Sequence, residues 1–511
     1  MLKNIRSSYK KLLNKTKDRI ILQTVQSIIQ WDMETMMPPN AVEQRSHQLA
    51  LLSRMEHKMS ISPDIGRLLN EIKANPNYDN LDQIEKRNVH LIKKNYEEQI
   101  QLPEKLVSET TKQQVLTVNS WKKAKATKDY SRLEPDLEKL VSLNKKVAEI
   151  LMKVKNTNTS YDALLDNYEP KTTAQTISEV FAELQNGIKS LLYKIQSCSE
   201  YKNEQTIRIQ IPVKKQRKIA QLLAQSLGYD IVSANSGGRI DETEHPFTTG
   251  YYDDVRITTH FYPNNYISAI FSVLHETGHA LYEQNINQKW KYQPVGSISS
   301  YGFHESQSRL YENIIGRSQE FWNHLLPKLK QIASPLLDNL NLEQFLRLIN
   351  NVKPSKIRIE ADEVTYNLHI IIRYQIERAL FENKIEVKEL PDIWNQKYAD
   401  LLGVEIKNDS EGIMQDTHWA SGYYGYFPSY AIGNIYSGQI FEELRLNVEK
   451  VKSQIEQGEI NEVNLWLKQN VHYYGSLYEP NELIEKISGE KINSQPYIQY
   501  LNKKYRKLYN F

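Results

Sequence analysis

The chain has 511 residues, 40% of them hydrophobic and 25% charged, with a formal net charge of +3. This is enough to bury a large core, as about two to four domains or as one large helical body, and a charge so close to balance gives no reason to expect nucleic acid or an acidic membrane as a partner. A single cysteine, Cys198, excludes an intramolecular disulfide framework and any multi-cysteine metal cluster, and fits a reducing compartment.

Taken in chain order, residues 1–20 (MLKNIRSSYKKLLNKTKDRI) are basic but hold no apolar h-region and no small-residue cleavage site, so they read as a first amphipathic helix rather than a targeting segment. Helical periodicity follows at residues 133–155 and from Ile177 to Ile195, where Ile177, Val180, Phe181, Leu184, Ile188 and Leu191 recur at threes and fours. The basic run Lys214, Lys215, Arg217 and Lys218 opens a helical stretch and reads as a solvated face. Residues 233–238 (SANSGG) read as a flexible connection.

In residues 250–262, Val255, Ile257, Thr259 and Phe261 alternate with Asp254, Arg256, Thr258 and His260, the period of a half-buried strand. Further helices are expected at 263–286, opened by Pro263, and at 303–331, 357–383 and 438–457. Apolar runs such as Ile370 to Ile372 are soon broken by charge, far short of the roughly 20 residues that span a bilayer. The expectation is a cytoplasmic, mainly helical protein.

The 263–286 helix carries HETGH, His275 to His279. On a helix, i and i+4 point the same way, so both imidazoles reach one metal ion, while Glu276 projects at another angle, suited to taking a proton from water. With 12 histidines and 62 acids in 511 residues, about 0.03 occurrences of His-acid-x-x-His are expected by chance. A catalytic site needs a third ligand. Spacing alone offers Glu305, with His304, Glu312 and Asp254 as rivals, and an acid in a first helical turn is also an ordinary response to the helix dipole.

Six ordered motifs then coincide: HPF (His245 to Phe247), DVRIT (Asp254 to Thr258), HETGH, HESQ (His304 to Gln307), IRIEAD (Ile357 to Asp362) and GIMQDTHW (Gly412 to Trp419), preceded by WDMETMMPP (Trp31 to Pro39). Together they resemble the carboxypeptidase Taq family of zinc-dependent metallocarboxypeptidases, over nearly the whole chain; His260 stands where that family more often has arginine. The resemblance implies a single mainly α catalytic domain over residues 1–511, with two lobes around a deep active-site groove, a small β-sheet beside the HExxH helix, and a homodimer.

It also implies His275, His279 and Glu305 as ligands of one Zn²⁺ (Co²⁺ as the alternative), Glu276 as general base, and peptides with a free C-terminus as substrates. The C-terminal carboxylate calls for a fork-shaped guanidinium, Arg358 or Arg256, with Arg358 preferred and Asp362, four residues on along an expected helix, holding it. Gln415, His418, Tyr426 and Tyr430 are expected to line the cleft. Asp416 is expected to orient His418 or to support a metal ligand, and Asp254 to stand behind the site. A zinc endopeptidase, a dipeptidyl carboxypeptidase and a non-enzymatic helical interaction protein are the alternatives.

Overall fold

The computed structural model describes residues 5–202 and 209–511. Helices dominate. The expected ones at 133–155 and 177–195 form as Glu134–Lys155 and Ala174–Ser197, and the first helix runs Ile5–Thr35, with residues 1–4 outside the described part. None of the helices among the described residues is long and apolar enough to cross a membrane.

Among the described residues they enclose two hydrophobic cores. The larger takes in most of the chain from Ala124 onward, because helix after helix presents an apolar stripe to it. The smaller one joins Ile5, Tyr9 and Leu12 of the first helix to Leu68, Ile72 and Val89 of the two helices Pro63–Lys73 and Gln83–Gln101.

Set into the larger core is a three-stranded sheet: β1 (Gly238–Glu242), β2 (Thr248–Tyr251) and β3 (Asp254–Thr259), in the order β1-β3-β2. β3 pairs in parallel with β1 and antiparallel with β2, so Ile257 lies opposite both Ile240 and Thr248. The expected strand is therefore shorter than its alternation suggested, and Gly238, read as part of a flexible connection, is the first residue of β1. The odd positions of β3 face the Tyr266–Asn285 helix: Val255 and Ile257 are fully buried, and Thr259 Oγ1 bonds to Ser272 Oγ.

Several helix boundaries differ from expectation, most of them through a local polar bond. The Tyr266–Asn285 helix starts after Pro263 because Asn265 caps it, its side chain accepting from Ser268 N. The 303–331 segment is two helices: Tyr301–Arg309 runs into a π-helical turn, Leu310–Ile315, and Ser318 then caps Gln319–Ala333. The 438–457 segment breaks at Lys450, which takes a left-handed conformation between Pro428–Asn447 and Val451–Gln457.

The 357–383 segment is a short 3₁₀ turn, Arg358–Glu360, and a separate helix, Tyr366–Phe381. Asp362 causes that break. Its carboxylate accepts from Lys353 N, Val364 N, Thr365 N and Thr365 Oγ1 at 2.6–3.1 Å, an alternative to helix for the surrounding backbone.

Candidate metal centre and active site

Three helices converge because two glycines let them. A Cβ on Gly278 would sit 2.5 Å from Gln307 O, and one on Gly433 would sit 2.5 Å from Glu305 Cγ, so Tyr301–Arg309 lies pressed between Tyr266–Asn285 and Pro428–Asn447. This brings Glu305 Oε2 to 3.6 Å from His275 Nε2 and 3.5 Å from His279 Nε2. One ligand atom from each residue lies within 4.8 Å of the others.

The surroundings prepare these three side chains as ligands. His275 Nδ1 donates to Glu312 Oε2 at 2.8 Å, which aims Nε2 at the centre. Burial holds His279 down to about 3, in its neutral, coordinating form. Burial alone would raise Glu305, but Arg309 beside it, then His275 and His279, hold its carboxyl well below the usual range. Arg309 Nε donates to Glu305 Oε1 at 2.7 Å and Arg309 Nη1 to Glu312 Oε2 at 3.1 Å, so one guanidinium fixes both acids.

Burial would lower His275, but Glu305 and Glu312 outweigh it and raise its pKa, so a bound ion would displace a proton from this ring. Two imidazole nitrogens and one ionised carboxylate oxygen then fit a first-row divalent ion. Replacing Glu312 with alanine, which removes the acceptor that holds His275, is expected to weaken metal affinity about 10–100-fold. Competition with a fluorescent chelator measures it, and an unchanged affinity would take Glu312 out of the site.

Glu276 faces β2. Its Oε2 accepts from Thr248 Oγ1 at 2.6 Å, and the same hydroxyl lies 3.0 Å from the Glu276 carbonyl oxygen. Burial raises its carboxyl pKa, offset in part by His275 and by the Thr248 bond. Nothing in the sequence pattern singled out Thr248, since the contact depends on the register of β2 against the helix.

Arg358 is buried beside Asp416. Its Nε and Nη2 donate to Asp416 Oδ1 at 3.0 and 2.9 Å, and its Nη1 to Tyr366 OH at 3.2 Å. The other Asp416 oxygen accepts from Arg373 Nε at 2.8 Å and Nη2 at 2.5 Å. Burial would raise Asp416, and the two arginines drive it far below the usual carboxylate range. Two guanidiniums thus share one carboxylate, and one positive charge is left over.

Arg309 lies over the ring of Tyr366 at 4.3 Å, so a continuous wall joins Glu305 to Arg358 through Arg309 and Tyr366. Two expectations are corrected here. Asp362 does not hold Arg358, because it is spent on the backbone that starts the next helix, and Asp416 bridges two arginines rather than orienting His418 or a metal ligand.

His418 Nε2 instead lies 3.2 Å from Tyr430 OH, and its ring stacks on Tyr426 with centroids 5.6 Å apart. Tyr430 lies 5.1 Å under the Arg358 guanidinium and feels the charge of Glu305, which puts it between the two halves of the site. Gln415 is a scaffold residue: its carbonyl oxygen accepts from Arg358 N at 2.8 Å and its amide donates to Lys356 O at 3.0 Å. Arg373, Tyr366 and Glu377 were not anticipated. Glu377 fixes the aromatic loop by accepting from Trp419 Nε1 at 2.7 Å and from Gly425 N.

Asp254 and Arg256 belong elsewhere. By strand alternation Arg256 leaves β3 on the face away from the metal helix, where it forms a two-bond pair with Asp254 (2.7 Å each) and lies 4.3 Å from the ring of Trp31. Arg239, its neighbour on β1, lies 4.6 Å from the same ring. Arg256 and Asp254 thus dock the Ile5–Thr35 helix on the sheet. His304 stacks on His279 at 4.0 Å, with Nε2 3.3 Å from Glu283, and is not among the converging donors.

Comparison with known proteins agrees with this arrangement. The sequence model of the carboxypeptidase Taq (M32) metallopeptidases matches residues 11–505. Carboxypeptidase 1 of Bacillus subtilis (strain 168) is 38% identical over 94% of this chain and 95% of its own length. Thermostable carboxypeptidase 1 of Thermus thermophilus is 36% identical over 98% and 99%. Among solved structures, the M32 carboxypeptidase of Deinococcus radiodurans superimposes with a TM-score of 0.92 at 30% identity, covering 99% of this chain and all of the other. Metallocarboxypeptidase 1 of Trypanosoma cruzi gives 0.93 at 31% identity, covering 98% of this chain and all of the other. With the family match spanning almost the whole chain and a cluster able to hold a metal ion gathered at its HETGH helix, the protein belongs to the carboxypeptidase Taq (M32) metallopeptidase family.

Proposed function

We propose that the protein is a zinc-dependent metallocarboxypeptidase, built as one catalytic domain, that releases single C-terminal amino acids from peptides. The observation that carries this reading is the wall from Glu305 through Arg309 and Tyr366 to Arg358, which joins a metal donor set to a buried cluster with excess positive charge. A peptide C-terminus is the anion that such a cluster fits when the adjoining chemistry is amide hydrolysis.

His275, His279 and Glu305 would hold the ion. When bound, the ion polarises the scissile carbonyl and makes water a usable nucleophile at neutral pH. Glu276 takes the proton of the attacking water and delivers it to the leaving amine nitrogen, and its raised carboxyl pKa suits both transfers. Thr248 holds Oε2, so the other carboxyl oxygen is the one that handles the proton. Tyr430 and His418 donate toward the developing oxyanion, with Tyr426 stacked behind His418. Arg358 holds the terminal carboxylate.

The two-imidazole, one-carboxylate set favours zinc, with cobalt the alternative. The lone Cys198 supports a cytoplasmic setting, and the homodimer rests on family resemblance.

The test is a mass-spectrometric time course on one N-acetylated peptide, as free acid and as C-terminal amide, with the zinc-loaded protein. The expected result is a ladder shortening by single residues from the free acid, with the amide spared. Loss of residues in pairs would make it a dipeptidyl carboxypeptidase, internal fragments from both peptides an endopeptidase, and intact peptides would favour a binding role.

A further inference from the structure

A cavity of about 550 Å³ lies between the C-terminal helix Gln495–Tyr509, the helix Leu342–Ile349, and parts of Gln319–Ala333 and Pro428–Asn447. Its size is that of a small-molecule site, roughly 300–1,000 Å³. It is lined by none of the metal donors, nor by Glu276 or Arg358.

Its inner wall is apolar, formed by Ile314, Leu346, Phe441, Ile455 and Leu508. Its polar lining is lopsided, with seven basic residues to three acidic ones. The three acids are each matched: Glu343 with Arg347 at 3.1 Å, Glu442 with Arg445 at 2.8 Å, and Glu320 with Lys452 at 2.6 Å. Arg317 and Lys504 turn to acids outside the lining, Glu312 at 3.7 Å and Glu363 at 2.6 Å.

Lys503 has no carboxylate in ion-pair contact among the described residues, and Lys507, which donates to Gln319 Oε1 at 2.8 Å, shares the charge of Glu320 with Lys452, the residue that pairs with it directly. Lys503 and Lys507 are exposed and stand one turn apart on the same helix, where like charges repel.

The ligand that satisfies both features has an apolar body and a single anionic end. An inorganic anion would leave the apolar wall wet, and a cation would meet the two ammonium groups of Lys503 and Lys507. We propose that this cavity is a binding site for an aliphatic monocarboxylate, its chain on Leu346 and Phe441 and its head between Lys503 and Lys507.

The test is isothermal titration of the zinc-loaded, full-length protein with sodium decanoate below its critical micelle concentration, beside butyrate and decyltrimethylammonium. Decanoate is expected to saturate one class of site, with the other two probes failing to do so. The double substitution Lys503→Glu and Lys507→Glu is expected to weaken decanoate by about tenfold or more, the loss of charge-assisted hydrogen bonds. Leu346→Trp, which fills the cavity, is expected to abolish binding, and the surface double variant keeps the test valid if the tryptophan variant misfolds.

Three results would overturn the proposal: no saturable heat with decanoate, equal binding of the cationic amphiphile, or affinity unchanged in the charge-reversed protein. A change of oligomeric state in that variant, read by sedimentation, would also overturn it, since the face would then be covered by a second copy of the chain.

Discussion

Glu276→Gln is expected to lower kcat by about 10²–10⁴-fold, the contribution of a well-placed general acid–base group, with the metal content of the protein unchanged. The separation of the two readouts follows from the helix. One residue on from His275, the Glu276 side chain is rotated away from the two imidazoles and reaches β2, where Thr248 Oγ1 meets it at 2.6 Å. The candidate donors are His275, His279 and Glu305, none of which the substitution touches. Glutamine has the same shape and its carbonyl oxygen keeps the Thr248 bond, so the fold loses little. What it loses is an oxygen able to take a proton. Turnover on a free-acid peptide, measured beside metal content by mass spectrometry, gives the answer. Near-normal turnover would remove Glu276 from the chemistry, and loss of metal would make it a ligand.

How far the sequence leads depends on the range of each interaction. The helices at 133–155 and 177–195 follow from apolar spacing alone, because a helix that buries one stripe repeats it every turn. Placing His275 and His279 together also needs only the helix. The boundaries near Asp362 and Ser318 were missed for an opposite reason: the periodic pattern continues through them, and one polar side chain interrupts the backbone. Arg309 is a nearer miss, since four residues after Glu305 on one helix is a legible spacing.

Thr248 against Glu276, and Asp416 against Arg373, 43 residues apart, carry no local signal, because only the packed fold brings them together. The reading of Asp254 and Arg256 as site residues failed in a different way. The period of two correctly put Arg256 on the polar face of β3, but which face looks at the metal helix is decided by the apolar residues opposite, Val255 and Ile257.

Arg358→Ala is the variant that separates an exopeptidase from a general peptide hydrolase. Three of the five N–H donors of Arg358 are engaged, two by Asp416 and one by Tyr366, which leaves two for a substrate carboxylate. Two charge-assisted hydrogen bonds contribute roughly 3–6 kcal/mol, so kcat/KM on a free-acid peptide is expected to fall by about 10²–10⁴-fold, mainly through KM. The amidated peptide, which never used the clamp, is expected to change little, so the preference for free acid over amide collapses.

The fold is expected to survive because Asp416 keeps both bonds to Arg373 and is not left as an unpaired buried charge. The excess positive charge of the cluster, however, disappears with Arg358. Lysine at this position restores charge without the fork, so it is expected to recover only part of the loss. A free-acid preference that persists in Arg358→Ala would reduce the Arg358–Asp416–Arg373 cluster to a structural brace and move the search for the carboxylate clamp to another cation near the candidate metal centre.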